Sequence, residues 1–381
     1  MDRRSSFDTD SVRHAELAGP PGPGPRGVPA GAAGAPRAPG RRRFVAAGLA
    51  AAAASAAGAV RAQIATTDDA GRRVTAARTP RRVFPAGAPA SVFLYCMAPD
   101  RLLGWPRAVR PEEAAFLLPQ VAALPEVGRL TGRGSTAKLE AVLALQADLI
   151  VDVGSIAPTY ASLAEQVQRQ TGIPYLLLDG AFEHTEATLR RLGQVLGLTA
   201  RAESLARGTR ARLDAAAELR AGLAEGDRPR VLFARGPTGL ATAAAGGLNA
   251  EVLEQVGAIN VARLEAPNLS QISFEQVLAW NPDWILASDP AFFAGIRRRA
   301  VWSALPAVRA RRVLLAPSLP FGWFDTPPAL NRLVGIEWLS AMLYPKRVRG
   351  PLEERLADTF EWLYWRRPSI AQMRALLAAG R

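Results

Sequence analysis

The 381-residue chain contains one cysteine, two histidines and two lysines. Each shortage closes a class of function. With Cys96 alone, no disulfide can form within the chain. Cys96 is also too far along the sequence to be a lipid-anchored terminal cysteine, and it is expected to be a small buried hydrophobe. His14 and His184 are isolated, which excludes a histidine-built metal site and leaves only His184 for a Ser-His-Asp arrangement. There is no Gly-x-Ser-x-Gly, no Gly-x-x-x-x-Gly-Lys and no Cys-x-x-Cys. No catalytic residue, metal ligand or cofactor is therefore assigned. Lysine occurs only at Lys138 and Lys346, so the net charge of +13 is almost entirely arginine. No long stretch interleaves arginine with aromatics, and nucleic acid is not expected as a partner.

What is present begins with a leader. Residues 1–40 are rich in Pro, Gly and Ala, lack an apolar period and are expected to be disordered. Gly40-Arg41-Arg42-Arg43-Phe44-Val45 then precedes a weakly apolar run that ends at Val60-Arg61-Ala62. This is the pattern of a twin-arginine secretory signal, cleaved near Ala62 and maturing at Gln63. The run is too short for a membrane span, with an uncleaved anchor as the second reading. The mature chain is expected to be soluble, periplasmic and monomeric.

Beyond the leader, one phrase occurs twice, 135 residues apart. Residues 138–154 read KLEAVLALQADLIVDVG and residues 273–289 read SFEQVLAWNPDWILASD. Glu140 and Asp148 in the first copy match Glu275 and Asp283 in the second. A repeated helix–turn–strand unit predicts two similar α/β lobes, and a ligand cleft between them. Apolar runs alternating with helical patterns indicate parallel βα units on both sides. Strands are expected at 81–84, 101–105, 148–153, 174–178, 230–234 and 312–316. The periodicity over 186–225 predicts one long helix or two abutting ones. The organisation expected is a leader over 1–62, an N-terminal lobe over 80–185, a connecting helix over 186–226, and a C-terminal lobe with terminal helices over 227–381. A helical connector of this length allows only modest closure.

The repeat resembles the Glu-containing phrase and following Asp of the helical-backbone class of periplasmic substrate-binding proteins. These serve ABC importers of iron–siderophore complexes, haem, cobalamin and, in one branch, molybdate. Ala147 stands where that family usually has Pro. A second match is Pro327-Pro328-Ala-Leu-Asn331-Arg332-Leu-Val-Gly335-Ile-Glu-Trp338-Leu. The resemblance covers about residues 80–378 and implies two Rossmann-like lobes with parallel sheets joined by a long connecting helix. It implies a binding protein rather than an enzyme, with a permease and its ATPase as partners. It also implies that Glu140 and Glu275 meet arginines on the transporter. The cargo it implies is a metal chelate, ferric siderophore first and then cobalamin or haem. Molybdate or tungstate is the alternative within the family; a chelatase or nitrogenase-like enzyme is the alternative of another class.

In open α/β lobes, ligands lie beyond the carboxyl ends of the strands. That rule selects the loops at 85–91, 105–107, 128–135 and 154–160, and at 235–239, 288–293 and 318–325. Within them Trp323 and Phe324 are the expected cleft aromatics, joined by Trp105 and Tyr160. Arg235, Arg129 and Arg133 are the expected contacts for an anionic ligand. Asn331 and Arg332 are expected to tie the loop to its lobe.

Overall fold

The computed structural model describes residues 63–132, 134–265 and 269–380. The signal-peptide reading of residues 1–62 and the assignment of Arg133 lie outside them. Two parallel sheets form the frame. The first orders strands β3 (Val83–Pro85), β4 (Leu149–Gly154) and β5 (Tyr175–Asp179). The second orders β11 (Val313–Leu315), β10 (Trp284–Ala287), β6 (Arg230–Ala234) and β8 (Ile259–Asn260). Antiparallel pairs β1 (Ile64–Thr67) with β2 (Arg73–Ala76), and β7 (Ala241–Ala243) with β9 (Leu269–Gln271), complete the strands. No strand forms at 101–105, where only Leu102 bridges Val83 and Trp105 bridges Glu126. A 3-10 turn at Pro99–Arg101 takes the start of that segment.

Both sheets are covered on two faces, so strand residues alternate between separate cores. In the first, Phe84, Ile150, Tyr175 and Leu177 point to one cluster, while Val83, Leu149, Val151 and Leu176 point to another. In the second, Leu232, Ile285 and Val313 face outward, and Val231, Phe233, Leu286 and Leu314 face the shared centre. That shared cluster also takes in α1 (Ala88–Met97), where Cys96 is fully buried. Burial raises the Cys96 thiol to about 12 and keeps it protonated.

The repeated phrase folds the same way twice. In each copy a short helix, α2 (Leu139–Ala144) or α7 (Phe274–Trp280), feeds a strand. Gln146 and Asn281, at matching positions, both take the left-handed conformation that ends the helix. The Asp148 amide donates to the Arg82 carbonyl at 2.8 Å, and the Asp283 amide donates to the Arg230 carbonyl at 2.8 Å. The Asp148 carboxylate accepts from the Arg82 amide at 3.1 Å, and that of Asp283 accepts from the Arg230 amide at 2.8 Å. Arg82 and Arg230 in turn donate to the helix-ending carbonyls of Leu145 and Trp280, at 2.8 and 2.7 Å. The aspartates thus lock each helix end to a neighbouring strand, and the arginines ahead of them close the knot.

The connector differs from a single long helix. Helix α4 (Thr185–Leu196) stops at left-handed Gly197, and α5 (Thr199–Ala221) starts two residues later. The two run back to back. Arg190 pairs with Glu203 at 2.8 Å and Arg210 with Glu186 at 2.6 Å, which only an antiparallel hairpin permits. Gly193 is the reason the hairpin is so tight, because any Cβ there would collide with Ala202. Helix α4 stays with the first sheet, where the Thr188 hydroxyl donates to the Asp179 carbonyl at 3.0 Å. Helix α5 runs about 34 Å to the second lobe and carries α9 (Arg332–Leu343) and α10 (Leu352–Tyr364). Arg212 donates to Glu337 at 2.6 Å and to the Thr359 hydroxyl at 2.8 Å.

Helix α10 also returns to the first lobe. Tyr95 in α1 donates to the Tyr364 carbonyl at 2.7 Å, and Trp365 donates back to the Tyr95 carbonyl at 3.0 Å. Among the described residues no helix is long and apolar enough to cross a membrane.

Candidate functional site

The carboxyl ends of the two sheets enclose a cleft of about 930 Å³. Its first wall comes from Gly87 and Ala88 after β3, from residues 152–155 at the end of β4, and from Tyr160 in the first turn of α3 (Pro158–Thr171). Gly87 lets the 128–135 loop lie close, since a Cβ there would press on the Thr131 hydroxyl. The second wall comes from Arg235 after β6, the 246–249 loop, and Pro320, Phe321 and residues 325–328 after β11. The loop at 288–293 does not reach the cleft; Asp289 instead caps α8 (Pro290–Gly295) by accepting from the Phe292 amide at 2.7 Å.

Of the residues expected from sequence, Trp105, Arg129, Tyr160 and Arg235 line this cleft together. Trp105 is nearly buried and donates to the Val121 carbonyl at 2.8 Å, so it offers the cleft little surface. Arg129 is tethered by a bond from Nε to the Gly134 carbonyl at 2.9 Å. Trp323 and Phe324 are corrections. Both are buried and absent from the cleft wall. Trp323 packs on Trp338 and Phe360 at 6.3 and 5.9 Å, and Phe324 lies 4.2 Å from the Phe233 ring in the centre of the core.

The cleft aromatic of that loop is Phe321, half-buried against Trp105 and Tyr95 at 5.9 and 6.1 Å. The second sequence motif explains the inversion. Asn331 donates to the Pro327 carbonyl at 2.8 Å and to that of Gly322. Gly335 admits the Trp323 carbonyl, with which any Cβ would collide. Trp323 is thereby drawn into the core and Phe321 is turned outward.

Two arginines in the cleft each hold a carboxylate. Arg235 holds Asp325 at 2.9 Å, and Asp325 also accepts from Asn249 at 3.2 Å and from the Thr326 hydroxyl at 2.9 Å. Burial nevertheless raises the Asp325 carboxyl, because these partners only partly offset it. The Arg235 Nε is buried with no hydrogen-bond partner, so its fork is not fully used. On the other wall Arg107, missed as a site residue, grips Glu113 at 2.6 and 2.9 Å. Burial pushes Glu113 up, but bonds from Arg107 and Arg110 outweigh it and hold the group ionised below the usual range. Asp152 has no cation among its hydrogen-bond donors, which are the Thr131 and Tyr175 hydroxyls at 3.1 and 3.0 Å and the Val153 amide. Burial raises its carboxyl above the usual range.

A buried bond network joins the two lobes behind the cleft. Arg332 donates to the Gly180 carbonyl of the first lobe at 2.6 Å and to Leu248 of the second at 2.9 Å, pairs with Glu251, and lies 4.2 Å over the Phe182 ring. Glu251 also accepts from the Phe182 amide at 3.2 Å.

Glu140 and Glu275 lie away from the cleft, exposed in the first turns of α2 and α7.

Two parallel-sheet lobes, a helical connector and an interlobe cleft make up a two-lobed α/β architecture with a ligand-sized cleft. The chain belongs to the periplasmic binding protein family, whose model matches residues 99–319. It is 32% identical over 129 residues to the molybdate-binding protein MolA of Haemophilus influenzae, a match spanning 33% of this chain and 36% of that protein. The fold resembles an ABC transporter solute-binding protein from Sulfurospirillum deleyianum, with TM-score 0.74 and 24% identity, covering 82% of this chain and 99% of that one. Molybdate-bound MolA itself superposes with TM-score 0.67 and 21% identity over 80% of this chain and 99% of its own.

Proposed function

We propose that this chain is the periplasmic substrate-binding component of an ABC importer. It captures an anionic metal chelate between its lobes and hands it to a permease and its ATPase, without catalysing a reaction. The observation that carries this reading is the cleft: about 930 Å³, walled by Arg107, Arg129 and Arg235 beside Tyr160 and Phe321. That volume fits a chelate or macrocycle, and the arginine forks suit carboxylates or oxyanions at its rim. A ferric siderophore is the first cargo to test. A second reading, molybdate or tungstate, is favoured by the 32% identical molybdate-binding relative. There the arginines would act as direct oxyanion ligands, in a cleft much larger than the anion.

Calorimetric titration with a ferric hydroxamate siderophore and with molybdate decides between them. Saturable heat from the siderophore alone supports the first reading, and from molybdate alone the second. No heat from either overturns both cargo assignments. Docking is assigned to Glu140 and Glu275, and export to the twin-arginine leader. N-terminal sequencing of periplasmic protein should begin within a few residues of Gln63; full-length chain in the cytoplasm would refute the export step.

A further inference from the structure

Five large hydrophobic side chains are exposed among the described residues, and two of them occupy one and the same position of the internal repeat. Leu143 is 45% exposed and Leu278 is 48% exposed, 135 residues apart like the glutamates. Over residues 138–144 and 273–279 the burial of the two copies agrees at every position. In each, a single valine, Val142 or Val277, anchors the helix in the core. Helix ends, aspartates and preceding arginines all have structural partners, as described above. The leucine does not, and the bonds to the Glu275 carboxylate come only from its own helix start, from Ser273 and its own amide. Glu140 and Glu275 take part in no ion pair among the described residues, and neither leucine belongs to a core cluster. The leucine follows the glutamate by three residues, so both sit on one helix face. In the second lobe the Ser273 capping box fixes this face, and bonds to the Glu275 carboxylate hold it ionised.

A solvated surface has no use for a large apolar group at matched positions of two lobes, whereas an interface does. We infer that Leu143 and Leu278, each one turn beyond the glutamate already assigned to docking, complete two equivalent prongs and are themselves contacts to the transporter. Each carboxylate meets a basic residue, and each leucine fills an apolar recess beside it. This deepens the importer reading and rests on it: the transporter of that reading is the partner, and the two repeat copies present it with the same pair of groups. The charge gives steering and orientation, and the leucine gives residence time.

The test is binding of the full mature chain to its permease–ATPase complex in lipid nanodiscs, followed by biolayer interferometry. Leu143→Ser and Leu278→Ser should each weaken binding roughly tenfold, mainly through faster dissociation, and together on the order of a hundredfold. Thermal midpoint and ligand affinity should stay as in the wild type, since both positions are exposed. Glu140→Arg with Glu275→Arg serves as the comparison. Loss of binding in the glutamate variant with wild-type binding in the leucine variant overturns the leucine prongs and leaves the importer reading standing. No binding by the wild type overturns both. Sedimentation equilibrium should show a wild-type monomer; a dimer dissolved by the leucine substitutions would instead mean that the prongs pair with a second copy, and would also overturn the inference.

Discussion

Asp152 and Glu113 are buried carboxyl groups on the same cleft wall, and the fold treats them oppositely. Burial leaves Asp152 with a raised proton affinity that hydroxyl donors and the Val153 amide only partly offset, so its native form holds a proton more tightly than the unfolded chain does. Its destabilising effect is absent below the ordinary carboxylate range and grows as pH rises through the raised folded value. Glu113 is the reverse: its stabilisation is present above the ordinary range and is lost as pH falls through its lowered value. Asp152→Asn is therefore expected to be neutral or stabilising at pH 7 and to lose that advantage near pH 4. Glu113→Gln should cost about 1–3 kcal/mol at pH 7 and less in acid. Urea titrations across that range check both. Phe321→Ala should weaken a large chelate with little loss of stability. Trp323→Ala should cost about 3–5 kcal/mol by leaving a cavity, which calorimetric unfolding would register. Sequence could not separate these aromatics, because both sit in one Gly-containing loop. What decides between them is Gly335, a position far along the chain whose missing side chain admits the Trp323 carbonyl.

At the scale of elements, the repeated phrase was the most legible part of the chain. Its helix, turn and strand are contiguous, so the unit leaves a pattern at fixed spacing, whereas the arginines that Asp148 and Asp283 bond lie 66 and 53 residues away. The parallel strands read well for the same reason, since their apolar runs are continuous and their flanks carry Gly and Pro. The fold of the connector was less legible. Its apolar period continues from α4 into α5, and only Gly193 and Gly197 encode the reversal. Arg101–Trp105 has the composition of a strand but finds only isolated bridges to neighbouring segments. The cleft loops were legible as loops, and the rule of carboxyl strand ends chose most of them. It chose the 105–107 loop without singling out Arg107, and it missed the 246–249 loop. Gly335→Ala should displace the 320–325 segment, lowering stability by about 1–3 kcal/mol and weakening ligand binding together with it. A parallel loss in melting and titration is the expected signature. Wild-type behaviour in both would remove the anchoring role given to the second motif.

For the whole molecule, the Arg332–Glu251 pair matters more than any one strand, since Arg332 is buried and both members bond to the first lobe, at the Gly180 carbonyl and the Phe182 amide. Glu251→Gln would leave the Arg332 guanidinium without its carboxylate and should cost about 3–5 kcal/mol. Small-angle scattering should then show a radius of gyration that changes on ligand addition by more than in the wild type. An unchanged ligand response would mean that the contacts of α10 with α1 hold the lobes by themselves.

This brace has a kinetic consequence. A cleft whose width is set before the ligand arrives selects by fit and does not tighten afterwards. Related ligands should then enter at similar rates and differ in how long they stay. Association should be a single concentration-dependent phase, with no slower step following capture. Unloading would not come from spontaneous gaping of the free protein, so the work of parting cargo from cleft falls to whatever grips the two lobes from outside.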